Sequence, residues 1–231
     1  MMHSGEYMIY MVLTGILTLI GMFVSSRLKS KFQKYSRVGI RSGMSGKEIA
    51  EEMLRHYNIS DVRVVEGRGY LTDHYNPVTK TVSLSPPVYQ GRNVAAAAVA
   101  AHECGHAVQH DTAYSMLQMR SKLVPAVKVA TMAQQYLLIA ALIMLGTFPQ
   151  LLLVVIAAFA VTTLFSFVTL PVEFDASKRA LVWLEQTGIT QGSEFDGAKD
   201  ALWWAAMTYV SAALASLVTL LYLVLRYASS D

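Results

Sequence analysis

QLLLVVIAAFAVTTLFSFVTL, residues 150–170, carries no charged side chain from end to end. An α-helix rises 1.5 Å per residue, so a bilayer's hydrocarbon core takes about 20 residues of it. The stretch is long and apolar enough to cross a membrane, and that reading sets the class of the whole chain. Three further stretches pass the same test: roughly 7–26 (YMIYMVLTGILTLIGMFVSS), 126–146 and 205–225 (AAMTYVSAALASLVTLLYLVL). Gln134 and Gln135 fall inside 126–146. Polar side chains at such positions predict a face turned to neighbouring helices and away from lipid. Gly146-Thr147-Phe148-Pro149 predicts a tight hairpin between the second and third spans. The first span does not read as a cleaved signal peptide, because its basic residues follow it.

Composition agrees with a membrane protein. The 231 residues are 54% hydrophobic and only 15% charged, well below the roughly one quarter usual in soluble domains. A net charge of +3, with no basic tract interleaved with aromatics, argues against a nucleic-acid partner. The single cysteine, Cys104, excludes an internal disulfide. Arg27, Lys29, Lys31, Lys34, Arg37 and Arg41 follow the first span, Lys122 and Lys128 stand near the second, and Lys178, Arg179 and Lys199 lie between the third and fourth. The N-terminal tail and the 146–149 turn have no Lys or Arg, and the C-terminal tail has only Arg226. The positive-inside rule then places both termini outside and both long connections in the cytoplasm. The expected organisation is a first span over 1–26, a cytoplasmic region over 27–125, a transmembrane hairpin over 126–170, cytoplasmic helices over 171–204, and a fourth span with its tail over 205–231. The basic run 27–41 sets topology and meets anionic lipid of the bilayer. Trp183, Trp203 and Trp204 suit interfacial anchors or helix packing.

The polar segments have their own signals. Ser45 and Glu48 form a capping box ahead of an amphipathic helix over 42–58. Short strands are expected at Asp61–Val65 and Val78–Leu84, the second preceded by a turn at Asn76-Pro77. Asn93 can cap a helix through VAAAAVAAHECGHAVQH, whose alanines suit close burial.

That helix carries His102-Glu103-Cys104-Gly105-His106. Residues four apart lie about 6 Å apart on one helix face, so both imidazoles can converge on one metal ion. Glu103 is offset by one position, within reach of a metal-bound water but poorly placed as a ligand, which suits a general base. His110 lies roughly 12 Å from His102 along the axis and cannot join the same ion. A third ligand is expected from the other cytoplasmic connection. Pro171 suits a helix break or start, and Glu173 would begin a helix running to Gln186 with Gly188 as its stop. Glu173 completes a His₂Glu set, the catalytic kind of zinc site. Asp175 is the rival and points about 200° away around the helix. The bland reading of both carboxylates is favourable charge at a helix N-terminus.

The segments HECGHAVQH, DHYNP with VSLS, and PVEFDASKRA together resemble the YugP-like neutral zinc metallopeptidases of bacterial membranes, over most of the chain. A more distant likeness is to HtpX-like membrane proteases, whose E-x-x-A-D ends in an Asp that orients a zinc-binding histidine. Here Glu173-Phe174-Asp175-Ala176-Ser177 ends in Ser177, leaving Asp196, Asp200 or a backbone carbonyl as stand-ins. The resemblance implies a Zn²⁺-dependent endopeptidase in the bacterial cell (inner) membrane, with its active site at the cytoplasmic face and protein or peptide substrates. His102, His106 and Glu173 would hold the metal, and Glu103 would be catalytic. His74, Tyr75 and Arg179 are candidate oxyanion donors, and Val78–Leu84 could pair with an extended substrate. The fold class expected is mainly α: four membrane-spanning helices and a cytoplasmic zincin-like region with a small β-hairpin or sheet. A zinc-binding scaffold without proteolysis, and a hydrolase of lipid headgroups or another non-peptide substrate, are the other readings.

Overall fold

The computed structural model describes residues 4–144, 147–148 and 150–229, with side chains described from residue 8 onward. The elements are α1 (Ser4–Tyr35), α2 (Gly46–His56), β1 (Arg63–Glu66), β2 (His74–Asn76), β3 (Thr81–Leu84), α3 (Pro86–Tyr89), α4 (Val94–Asp111), α5 (Ser115–Ile143), α6 (Gln150–Gln186) and α7 (Ser193–Ala228). Among the described residues, α1, α5, α6 and α7 are long and apolar enough to cross a membrane. Each runs well past the apolar stretch expected from sequence. Of the anticipated hairpin turn, Gly146 and Pro149 lie outside the described residues.

Two of these helices correct the expectations. The helix expected to begin at Glu173 is the second half of α6, which continues through Pro171 without a break. An internal proline removes one backbone hydrogen bond and crowds the preceding turn. The helix persists because burial holds it after the proline, where Val172, Ala176, Ala180, Trp183 and Leu184 are all fully buried. Likewise, the fourth apolar stretch and the segment after Ser193 form one helix, α7.

The chain divides into two compact units. One comprises residues 1–24, 119–170 and 208–231. Its helices are tied by polar pairs: Gln134 Nε2 donates to Thr162 Oγ1 at 2.7 Å, and the Thr163 and Ser216 hydroxyls lie 2.6 Å apart. Gln134 thus faces a neighbouring helix, as its polarity required, whereas Gln135 is exposed. Tyr10 stacks on Tyr222, and Ala141, Leu152, Val155 and Leu223 form a small apolar cluster.

The other unit comprises residues 25–118 and 171–207. Its three-stranded sheet has the order β1-β3-β2, with β1 parallel to β3 and β2 antiparallel to it. The strand expected over Val78–Leu84 is confined to Thr81–Leu84. It is central and paired on both sides, so it has no free edge for a substrate. His74 and Tyr75 lie in β2, an edge strand the sequence did not signal. The turn after it forms because Asn76 Oδ1 accepts from the backbone N–H groups of Val78 (2.9 Å) and Thr79 (3.2 Å).

Helix starts match the capping signals. Ser45 Oγ accepts from Glu48 N at 3.3 Å while Glu48 Oε2 accepts from Ser45 N at 2.6 Å. Asn93 Oδ1 accepts from Ala96 N at 2.9 Å and opens α4. The alanines of α4 are buried almost without exception. Trp183 is fully buried in the core, edge-on to His56, whereas Trp203 is exposed. After α6, Gly188 takes a left-handed φ of 69°, a conformation that favours glycine, and ends the helix as expected.

The decisive contact is between α4 and α6. A Cβ on Gly105 would lie 2.5 Å from the Ala176 carbonyl oxygen, so the two backbones touch there. The obstacle is backbone and cannot swing away. Gly105→Ala is therefore expected to push the helices apart, costing about 1–3 kcal/mol or more and lowering the melting temperature of the detergent-solubilised protein. Gly15→Ala, where nothing lies within 4 Å, should leave it unchanged or slightly raised.

Candidate metal centre

Because α4 and α6 cross at Gly105, the residues flanking that contact converge. His102 and His106 sit one turn apart on α4, with ring centroids 4.8 Å apart and planes at 82°. Glu173 reaches them from α6. Its Oε2 lies 3.4 Å from His102 Nε2 and 3.5 Å from His106 Nε2. One ligand atom from each of the three side chains falls within 4.8 Å of the others.

These distances suit a metal. Ligands about 2.0–2.2 Å from a tetrahedral zinc ion lie roughly 3.3–3.6 Å from one another, close to the two separations between Glu173 and the imidazoles, while the three atoms together span up to 4.8 Å. Two imidazoles and one carboxylate leave a fourth position open, as in catalytic rather than structural zinc sites. Charge points the same way. Glu173 is 2% exposed and Glu103 only 8%, and buried carboxylates are costly without a compensating cation. Burial acts against the His106 imidazolium, yet the Glu173 and Glu103 carboxylates, with the hydrogen bond His106 donates to Gln109, hold its pKa above the ordinary value.

The far sides of the rings are also held. His102 Nδ1 lies 3.1 Å from Ser177 Oγ, and His106 Nδ1 lies 3.0 Å from Gln109 Oε1. Ser177 itself therefore occupies the place of the orienting carboxylate for which Asp196 and Asp200 were considered. Asp200 is engaged elsewhere, accepting from Tyr35 Oη and pairing with Lys31, both at 2.6 Å. Asp175, the rival ligand, faces away from the cluster: its Oδ2 accepts from Gln109 Nε2 at 2.8 Å and from Arg179 Nε at 2.6 Å. Gln109 is the residue that sequence reasoning missed. Its signal was available, since 102, 106 and 109 follow the 4-then-3 spacing of one helix face.

The other candidates have local roles. His74 Nδ1 lies 2.8 Å from the Thr72 carbonyl. Tyr75 Oη lies 3.1 Å from His110 Nδ1, and its phenol is pushed up to about 12, first by burial and then by Asp61 and Asp111. His110 is exposed and beside Lys80, away from the ligand cluster as its spacing required. Arg179 is bound to Asp175 and lies over the Tyr114 ring. Cys104 is fully buried against the Ala50 carbonyl, and burial pushes its thiol far up, so it stays protonated.

Comparison with known proteins agrees with this geometry. A family described as "Putative neutral zinc metallopeptidase" matches residues 10–228. The "Putative membrane protease YugP" of Bacillus subtilis (strain 168) is 39% identical over 220 residues, covering 95% of this chain and 97% of the relative. No solved structure matches. With nearly its whole length matched, and with two histidines and a glutamate brought together as such a site requires, the chain belongs to the neutral zinc metallopeptidase family.

Proposed function

We propose that the protein is an integral-membrane zinc-dependent endopeptidase that hydrolyses peptide bonds at the cytoplasmic face of the bacterial cell (inner) membrane. The observation that carries this reading is the convergence of His102 Nε2, His106 Nε2 and a Glu173 oxygen within 4.8 Å, with buried Glu103 beside them. His102, His106 and Glu173 would hold the ion. When bound, zinc supplies Lewis acidity, polarising the scissile carbonyl and bringing the pKa of water toward neutrality.

The chain's own groups do the rest. Glu103 takes the proton released as water attacks the carbonyl carbon, then delivers it to the amine as the C–N bond breaks. Glu173 supplies one negative charge to the site, and Ser177 and Gln109 keep the two rings in place. The edge strands β1 and β2, rather than the central strand β3, are where an extended peptide could pair. The apolar stretch of α6 ends at Leu170, three residues before Glu173, which favours membrane or membrane-proximal proteins as substrates. The distribution of Lys and Arg supports a cytoplasmic site with both termini outside, and the name of the Bacillus subtilis relative supports a membrane location.

Two experiments test this reading. In detergent-purified protein, Glu103→Gln is expected to retain about one zinc and to lose casein or peptide-library cleavage by about 10²–10⁴-fold. His106→Ala and Glu173→Ala should lose the metal, and chelation of the wild type should abolish cleavage until zinc is restored. Undiminished cleavage by Glu103→Gln would sink the assigned role of this residue. Orientation can be read separately by thiol labelling, since the native Cys104 is fully buried. Exposed Ser229→Cys should react with an impermeant maleimide in intact cells, while exposed Ser60→Cys should react only after permeabilisation. The reverse pattern would invert the topology.

A further inference from the structure

Gln109 is fully buried, and its carboxamide is spent on both sides. Its Nε2 donates to the Val172 carbonyl and to Asp175 Oδ2, each at 2.8 Å. Turning the amide over would set its oxygen against a carbonyl and a carboxylate, two acceptors with no proton to share. The oxygen must therefore face His106 Nδ1, 3.0 Å away. An amide oxygen can only accept, so His106 Nδ1 must carry hydrogen. With Nδ1 protonated, the lone pair of a neutral His106 ring sits on Nε2, the atom facing Glu173.

The contrast with His102 sharpens the point. Its Nδ1 meets the Ser177 hydroxyl, which can donate or accept and so leaves the ring's polarity open. The His106 arrangement is also anchored at its far end. Arg179 Nε donates to Asp175 Oδ2, the Arg179 guanidinium lies over the Tyr114 ring, and Tyr114 N donates to the Gln109 carbonyl at 2.9 Å. A neutral amide stands between the Asp175 charge and the ring. It transmits orientation without adding a third carboxylate to a cluster that already holds Glu173 and Glu103.

We propose that Gln109 is a positioning residue of the metal site, holding His106 as its Nδ1–H form and aiming the Nε2 lone pair at the ion, with Asp175 and Arg179 fixing the amide's direction. This rests on His106 being a ligand, and the experiment separates the two. Zinc affinity of the full-length, detergent-solubilised protein is measured by competition with a chromophoric chelator for the wild type, Gln109→Leu, Asp175→Ala, Asp175→Asn and His106→Ala. Gln109→Leu should bind zinc about 10–100-fold more weakly. Asp175→Ala should also weaken binding, while Asp175→Asn stays near wild type because its carboxamide oxygen still accepts from Gln109. In zinc-loaded wild type labelled with ¹⁵N-histidine, NMR should show coordination through His106 Nε2 and an exchange-protected Nδ1 proton, lost in Gln109→Leu. Wild-type affinity in Gln109→Leu, or coordination through Nδ1, would overturn the proposal. If Gln109→Leu does not fold, the Asp175 pair decides: equal affinities overturn it. Undiminished affinity in His106→Ala would instead remove the ligand reading itself.

Discussion

The site depends on one close approach, that of the α4 backbone at Gly105 to the α6 backbone at Ala176. Only there can a carboxylate on one helix reach two imidazoles on the other while remaining 2% exposed. A side chain at position 105 would meet backbone and separate the helices, and a displacement of an ångström is enough to spoil ligand geometry. The alanines of α4 serve the same end, letting neighbouring elements pack close to this helix. Small residues set the distance and three polar residues use it.

Placing ionisable groups at such a crossing carries a cost. Burying a carboxylate without a partner costs several kcal/mol, and two are buried here. Their charge is met by the imidazoles of α4 and, on the proposed function, by the ion. On the His106 side the polar contacts have a direction. Arg179 and Gln109 donate to Asp175, and His106 in turn donates to Gln109. Polar networks in a low-dielectric interior are strong when each member is satisfied and costly when one is not, so this one confines the His106 ring to a narrow set of geometries.

Helix α6 links the two aspects of the protein. Its first half is an uncharged apolar stretch, and its second half carries Glu173, Asp175, Ser177 and Arg179 within two turns. Because α6 continues through Pro171, Glu173 sits within a helix and not at the start of one.

Much of this was legible in the sequence, for a physical reason. Span length, capping and helical periodicity are local properties, so the four apolar helices, the Ser45 and Asn93 caps, the Gly188 stop and the pairing of His102 with His106 follow from short windows. Glu173 could be nominated as well, by charge type and its place after a span. What only the tertiary structure decided are relations between distant segments. The hairpin made β3 the central strand, because its position depends on the Asn76 turn and on pairing with β1. Packing beyond Pro171 overrode the proline's preference for a helix end. The crossing at Gly105 chose Glu173 over Asp175, put Ser177 behind His102 and set Gln109 between His106 and Asp175. A spacing rule puts Gln109 on the face of His102 and His106, but it names none of the partners on α6, because each depends on which backbones come within contact distance, and the whole packed chain determines that.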